Sequence, residues 1–264
     1  MTADPLAGFT ESTFTADAMT RPVYAAGTGP AVIVIHEMPG ITPPVAAFAQ
    51  RVVDAGFHVR MPSLFGEPGR PASGGYVLTS LRQGCVAKEF TTLALDRTSP
   101  AIGWLRALAA DAHEACGGPG VGAVGMCFTG GFALGMMVDD RMLAPVLSQP
   151  SLPFPVSPAR RRGVGISNAD LARVQERAAQ GACVMGLRFT KDPAVPAERF
   201  ETLRRVLGDR FIAVEIDSSK GNAYGNPRAA HSVLTEHFVD EPGHPTRDAL
   251  DRVLEFFSRR LRPE

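Results

Sequence analysis

Strand-length apolar runs alternating with longer stretches of helical period constrain this chain more than any other feature. A strand buried on both faces reads as an unbroken apolar run, and two parallel strands need a crossover, usually a helix, between them. The runs Ala31–His36, His58–Met61, Val121–Gly125, Leu143–Ser148, Cys183–Phe189 and Phe211–Ile216 predict strands. Helices are expected near Pro44–Ala55, Ala101–Ala115, Thr129–Val138, Ala169–Ala179, Pro196–Leu207 and Thr246–Leu261. The last of these puts Leu250, Val253, Leu254, Phe257 and Leu261 on one face, a stripe that should pack on a sheet. The pattern implies the α/β class, with a mostly parallel, doubly wound sheet flanked by helices. Residues Phe9–Tyr24 alternate weakly and predict one or two antiparallel edge strands within residues 1–28.

With 264 residues, 45% of them apolar, the chain can bury a large core, and no repeat or composition shift divides it, so one domain over residues 1–264 is expected. Lys+Arg and Asp+Glu balance at 27 each, which leaves no net positive field to attract nucleic acid. The basic run Arg160, Arg161 and Arg162 reads as a solvated loop beside prolines. No apolar stretch approaches the roughly 20 residues that span a bilayer, and Met1–Thr15 lacks the basic-then-apolar start of a signal peptide. A cytoplasmic protein without a membrane partner is therefore expected. The four cysteines, Cys85, Cys116, Cys127 and Cys183, form no CxxC pair, which argues against structural zinc and against a disulfide framework.

In open α/β sheets, ligands bind beyond the carboxyl ends of the strands. The Gly/Pro-rich segments Pro62–Gly75, Gln149–Pro158 and Gly221–Pro227 each follow a strand and are expected to wall that crevice. The most informative segment is Val121–Gly131, where an apolar strand runs into Gly125-Met-Cys127-Phe-Thr-Gly130-Gly131 and then into a helical pattern. A residue on a very tight strand-to-helix turn needs small neighbours, as in the motif G-x-S-x-G. Here Cys127 stands for Ser, and Thr129 takes the place of the second Gly. A P-loop would need Lys where Gly131 stands, and the G-x-G-x-x-G spacing is missing. Cys127 is then either a thiol activated at a helix start or a small apolar residue packed between strand and helix.

A thiol nucleophile needs a base, and the base an orienting carboxylate. Asp192, in a turn held by Pro193 and Pro196, stands at the end of a later strand. His231 follows a flexible Gly/Asn loop, whereas His244 falls where the last helix starts, so His231 is the preferred base and His244 a helix-start residue. The backbone N–H groups of Phe128, after the nucleophile, and of Met38, after the first long strand, are candidates for an oxyanion hole. Glu37 has two readings: a carboxylate near the thiol, or, with His36, a group that only holds the turn.

On the segments His36-Glu-Met-Pro-Gly40, Gly125–Gly131, Asp192–Pro196 and His231-Ser232, the chain resembles the dienelactone hydrolase family of the α/β-hydrolase fold over about residues 32–257. The resemblance implies Cys127 as nucleophile, His231 as general base, Asp192 as its orienting partner, and Glu37 as the glutamate that assists thiolate formation. It also implies hydrolysis of a lactone or small ester, with neither metal nor organic cofactor; a monomer or homodimer acting on a small molecule is expected. Two departures stand out. Family members specific for dienelactones carry an arginine four residues after the histidine, where this chain has Thr235; Arg82, in what reads as the loop region Gly74–Lys88, is the candidate replacement. The segment 149–181 is longer than expected and reads as an insertion or lid. The alternative function is a catalytically silent member of the fold that binds a ligand or senses oxidants through Cys127.

Overall fold

The fold, seen in a computed structural model, is described for residues 4–86 and 97–262. Eight strands form one sheet: β1 (Thr10–Ala16), β2 (Met19–Ala26), β3 (Ala31–Ile35), β4 (His58–Pro62), β5 (Val121–Met126), β6 (Met142–Ser148), β7 (Val184–Phe189) and β8 (Phe211–Ile216). Their spatial order is β1-β2-β4-β3-β5-β6-β7-β8. The pairs β1·β2 and β2·β4 are antiparallel, and every later pair is parallel. The expected edge strands are thus present as a hairpin, whose two-residue turn puts Asp17 and Ala18 at φ 48° and 60°.

Helices cover both faces: α1 (Pro43–Asp54), α2 (Gly74–Val86), α3 (Pro100–Cys116), α4 (Phe132–Met136), α5 (Pro158–Arg162), α6 (Asn168–Ala179), α7 (Ala197–Leu207) and α8 (Pro245–Leu261). Side chains of a strand alternate between faces, and the core divides accordingly. Ile33, Ile35 and Ala123 face α3, α4, α6 and α7, whereas Val32, Val34 and Val124 face α1 and α8. In α8 the predicted stripe is buried at Leu250, Val253, Phe257 and Leu261, with Leu254 partly buried and Phe256 added.

Three expectations are corrected. The helix predicted over Thr129–Val138 starts as a 3-10 turn, Cys127–Thr129, and becomes α-helical only at Phe132, because the strand must turn sharply into it. The region holding Arg82 is the helix α2, with Tyr76 and Ser80 buried one turn apart, so its Gly-rich start conceals a helix; Lys88 lies outside the described residues. The run Arg160–Arg162 lies in the short helix α5, capped by the Ser157 hydroxyl, and Arg161 makes a two-pronged pair with Glu198.

Segment 149–181 packs α5 and α6 against α7, and one buried side chain holds much of it. Arg199 of α7 donates to the carbonyls of Pro150, Pro153, Arg160 and Gly163. Burial pushes its guanidinium down to about 10, against the opposing pull of Asp192. Arg199→Met would leave these carbonyls without their donor and should cost about 2–4 kcal/mol of stability. Equilibrium urea unfolding reads this directly, and an unmoved midpoint would mean that water replaces the guanidinium at no cost.

Candidate active site

Five strand ends, those of β3, β5, β6, β7 and β8, converge at the carboxyl edge of the sheet. At the end of β5, Cys127 adopts φ 53°, the left-handed region that non-glycine residues rarely enter. The turn is possible because its neighbours are bare: a Cβ on Gly125 would sit 2.2 Å from the Thr129 carbonyl oxygen, and one on Gly130 would sit 2.5 Å from Pro150 Cα. The Cys127 carbonyl accepts from the N–H groups of Gly130 and Ser151, both at 3.0 Å.

Thr129, the residue that departs from the expected glycine, ties this turn to the end of β3. Its fully buried hydroxyl accepts from the Met126 N–H at 3.0 Å and lies 3.1 Å from the carbonyl oxygens of both Ile35 and His36. The larger side chain therefore bridges the two segments that carry the Phe128 and Met38 amides. Phe128 is buried within the 3-10 turn, and Met38 is partly buried in the loop after β3.

His231 and Asp192 meet across 39 residues of chain: the imidazole Nδ1 lies 2.6 Å from Asp192 Oδ2. Asp192 is buried, and its other oxygen accepts from the Ala194 N–H at 2.9 Å, which fixes the carboxylate in the turn after β7. Arg188 of β7 supports that turn by donating to the Val195 carbonyl at 2.9 Å. With Nδ1 committed to Asp192, the second ring nitrogen is left for the Cys127 sulfur, which lies within 4.8 Å of the imidazole. Burial lowers the proton affinity of His231, but the sulfur and the Asp192 carboxylate outweigh it and hold the imidazole well above its ordinary range.

Glu37 is buried beside this pair, and its oxygen, the Cys127 sulfur and a His231 ring nitrogen all lie within 4.8 Å of one another. Three neutral donors hold the carboxylate. Ser232 Oγ donates at 2.6 Å and Gln149 Nε2 at 3.2 Å to one oxygen, and Thr235 Oγ1 donates to the other. Thr235, where a cation was expected, is thus a partner of Glu37. His36 holds the adjoining turn: its Nε2 accepts from the Leu64 N–H at 3.0 Å, so Nδ1 carries the proton, 3.0 Å from the Glu37 carbonyl oxygen.

Sequence reasoning missed several contributors. Ser151 Oγ lies 3.5 Å from Cys127 Sγ, and Gln149, at φ 35°, joins Glu37 to the Val233 N–H. His237 Nδ1 accepts from the His231 and Ser232 amides at 3.4 and 3.3 Å and steadies that loop. No motif marks these residues, because each acts through a loop remote in sequence. Arg82 is exposed on α2, and His244 is the N-cap of α8, accepting from the Thr246 N–H at 3.3 Å as its position suggested.

The mostly parallel eight-stranded sheet flanked by helices is the α/β-hydrolase fold. The sequence matches the dienelactone hydrolase family over residues 17–261, and the chain belongs to that family. The fold is shared with a dienelactone hydrolase from Anabaena variabilis, 17% identical with a TM-score of 0.57 over 97% of this chain and 100% of that one. It is shared also with the dienelactone hydrolase-like promiscuous phosphotriesterase P91 from metagenomic libraries, 16% identical with a TM-score of 0.61 over 96% and 98% of the two chains. A Pyrococcus furiosus esterase, Pf2001, is 13% identical with a TM-score of 0.56 over 98% of this chain and 96% of its own. No curated protein sequence matches significantly. Among the described residues, no helix is long and apolar enough to cross a membrane.

The buried His36 makes stability depend on pH. Burial lowers its proton affinity to about 4, only partly countered by its bond to the Glu37 carbonyl. Unfolded, the ring binds a proton below about 6.5; folded, only below about 4. Between those values the unfolded state holds more protons, so stability falls as pH drops, by on the order of 3 kcal/mol across the window. His36→Asn, which cannot titrate, should flatten that part of a denaturation-versus-pH curve. A wild-type curve no steeper than the variant's would rule His36 out as the cause.

Proposed function

We propose that this chain is a thiol hydrolase that cleaves a small carboxylic ester or lactone through an acyl-Cys127 intermediate. The observation that carries this reading is the grouping at the carboxyl edge of the sheet of the Cys127 sulfur, within 4.8 Å of a His231 ring nitrogen, with His231 itself bonded to Asp192. The sulfur and Asp192 keep the thiol proton on the second ring nitrogen of His231, so the sulfur attacks the carbonyl carbon as a thiolate while Asp192 holds the imidazolium in orientation. Charge that develops on the carbonyl oxygen is met by the N–H groups of Phe128 and Met38, aligned by the Thr129 bridge. The C–O bond then breaks, and His231 returns the proton to the departing oxygen. In the second half, His231 takes a proton from water, hydroxide attacks the thioester, and the sulfur leaves and is reprotonated.

Glu37 is the second candidate acceptor for the thiol proton, supported by its closeness to the sulfur and by three donors that keep it in place. Segment 149–181, which brings Gln149 and Ser151 to the site, serves in this reading as a wall of the crevice. For an acidic substrate, Arg82 is the candidate cation.

The test is turnover of an activated phenyl ester and of an enol lactone by the wild type, Cys127→Ala and His231→Ala. Loss of the nucleophile should lower kcat/KM by about 10³-fold or more, and loss of the base by about 10²- to 10⁴-fold. Equal rates for wild type and Cys127→Ala on both substrates would refute the assignment.

A further inference from the structure

The cluster of Cys127, His231 and Glu37 has a second chemistry besides acyl transfer. Sulfur, imidazole nitrogen and carboxylate oxygen are the three donor types that zinc takes, and here one of each lies within 4.8 Å of the others. We propose that these three residues form a binding site for a thiophilic divalent cation, with Zn²⁺ as the occupant, and that the bound ion blocks the sulfur reversibly. The blocking clause rests on the hydrolase reading above; the binding clause does not.

The surroundings resemble those of a metal site more than those of a thiol that merely lies near polar groups. A metal-bound histidine normally donates its other ring N–H to a carboxylate, which fixes the tautomer. His231 already pairs Nδ1 with Asp192 Oδ2 at 2.6 Å, which leaves the second nitrogen as the ligand atom once its proton is released. Glu37 is also prepared. A carboxylate offers about four acceptor positions, and Ser232, Gln149 and Thr235 occupy three, which leaves about one for a cation. Those donors are neutral, so no cation held by Glu37 has to be displaced. Charge balances as well: a thiolate, a carboxylate and a neutral imidazole around Zn²⁺ leave no net charge.

Donor atoms around a tetrahedral zinc sit about 3.5 Å apart, given bonds of about 2.0–2.3 Å. The widest separation must therefore shrink by about 1 Å, within reach of a rotation of the Cys127 side chain. His231 keeps 23% of its side chain exposed and Cys127 is only partly buried, so an ion can enter from the crevice. On binding, the thiol proton goes to solvent as the Zn–S bond forms, and any proton on the second nitrogen of His231 is released with it. Three protein ligands leave the fourth position to water. With the sulfur lone pair bound to zinc and the imidazole nitrogen occupied, neither attack on a carbonyl nor proton transfer can proceed.

Binding is read without turnover by titrating chelator-treated protein with Co²⁺, which gives thiolate-to-cobalt charge-transfer absorption when Cys127 is a ligand, followed by displacement with Zn²⁺. The expected result is saturable absorption in the wild type, none in Cys127→Ala, and affinity about tenfold or more weaker in His231→Ala. Asp192→Asn, which alters only the partner of the ligand, should weaken binding by about 10- to 100-fold. Circular dichroism confirms that each variant is folded. Ester turnover by the wild type is measured in parallel, and Zn²⁺ should suppress it until chelator restores it. No thiolate absorption in the wild type, or equal Zn²⁺ affinity in Cys127→Ala, overturns the site. If metal-free wild type hydrolyses no ester while the absorption persists, the hydrolase reading fails and the metal site stands.

Discussion

The turn at Cys127 is the constraint on which the remainder of the site depends. A non-glycine residue in the left-handed region costs about 1 to 3 kcal/mol, and it persists only where the surroundings leave no alternative. Here Gly125 and Gly130 remove the side chains that would collide, and the Cys127 carbonyl is held by two amides. Thr129 fastens the turn to the end of β3. A relaxed backbone at this point would swing the thiol away from the imidazole and move the Phe128 amide relative to that of Met38. The sheet, covered on both faces, supplies the rigidity that holds the strain.

Around that turn the molecule gathers loops that have no sequence relation to one another. The turn after β7 supplies Asp192, the long connection after β8 supplies His231, Ser232 and Thr235, and the loop after β6 supplies Gln149 and Ser151. Buried polar groups lock these loops together. Glu37 joins the loops after β3, β6 and β8 through three hydrogen bonds, and Arg199 fastens the connection after β6 to α7 through four carbonyls. Such a network holds its geometry because every donor lost would leave a buried acceptor unpaired.

Much of the fold was legible because periodicity is a local property. The strand from Phe211 to Ile216 was read to the residue, and the α8 stripe was read almost completely. Helix α2 was lost because Gly74 and Gly75 look like loop, and helix α5 because five residues with three arginines carry no apolar period. Cys127, Asp192 and His231 stood out because turn chemistry and chain order single them out. Ser151, Gln149 and His237 did not, since nothing about a serine, a glutamine or a histidine in a loop reveals which distant atom it will meet. Thr129 was noticed only as a departure; its hydroxyl bridge explains why the larger residue is accommodated.

By itself, the order of residues determined the layered α/β architecture and the tight turn that presents a thiol, and it favoured His231 over His244 as the partner. Those follow from short-range sterics and periodic burial, which act within a few residues of chain. Tertiary structure alone decided that Glu37 is caged by Ser232, Gln149 and Thr235, and that Ser151 touches the sulfur. It also decided that a carboxylate oxygen, an imidazole nitrogen and a thiol sulfur lie within 4.8 Å of one another. Such facts depend on where separate loops end in space, and that is set by packing across the whole sheet.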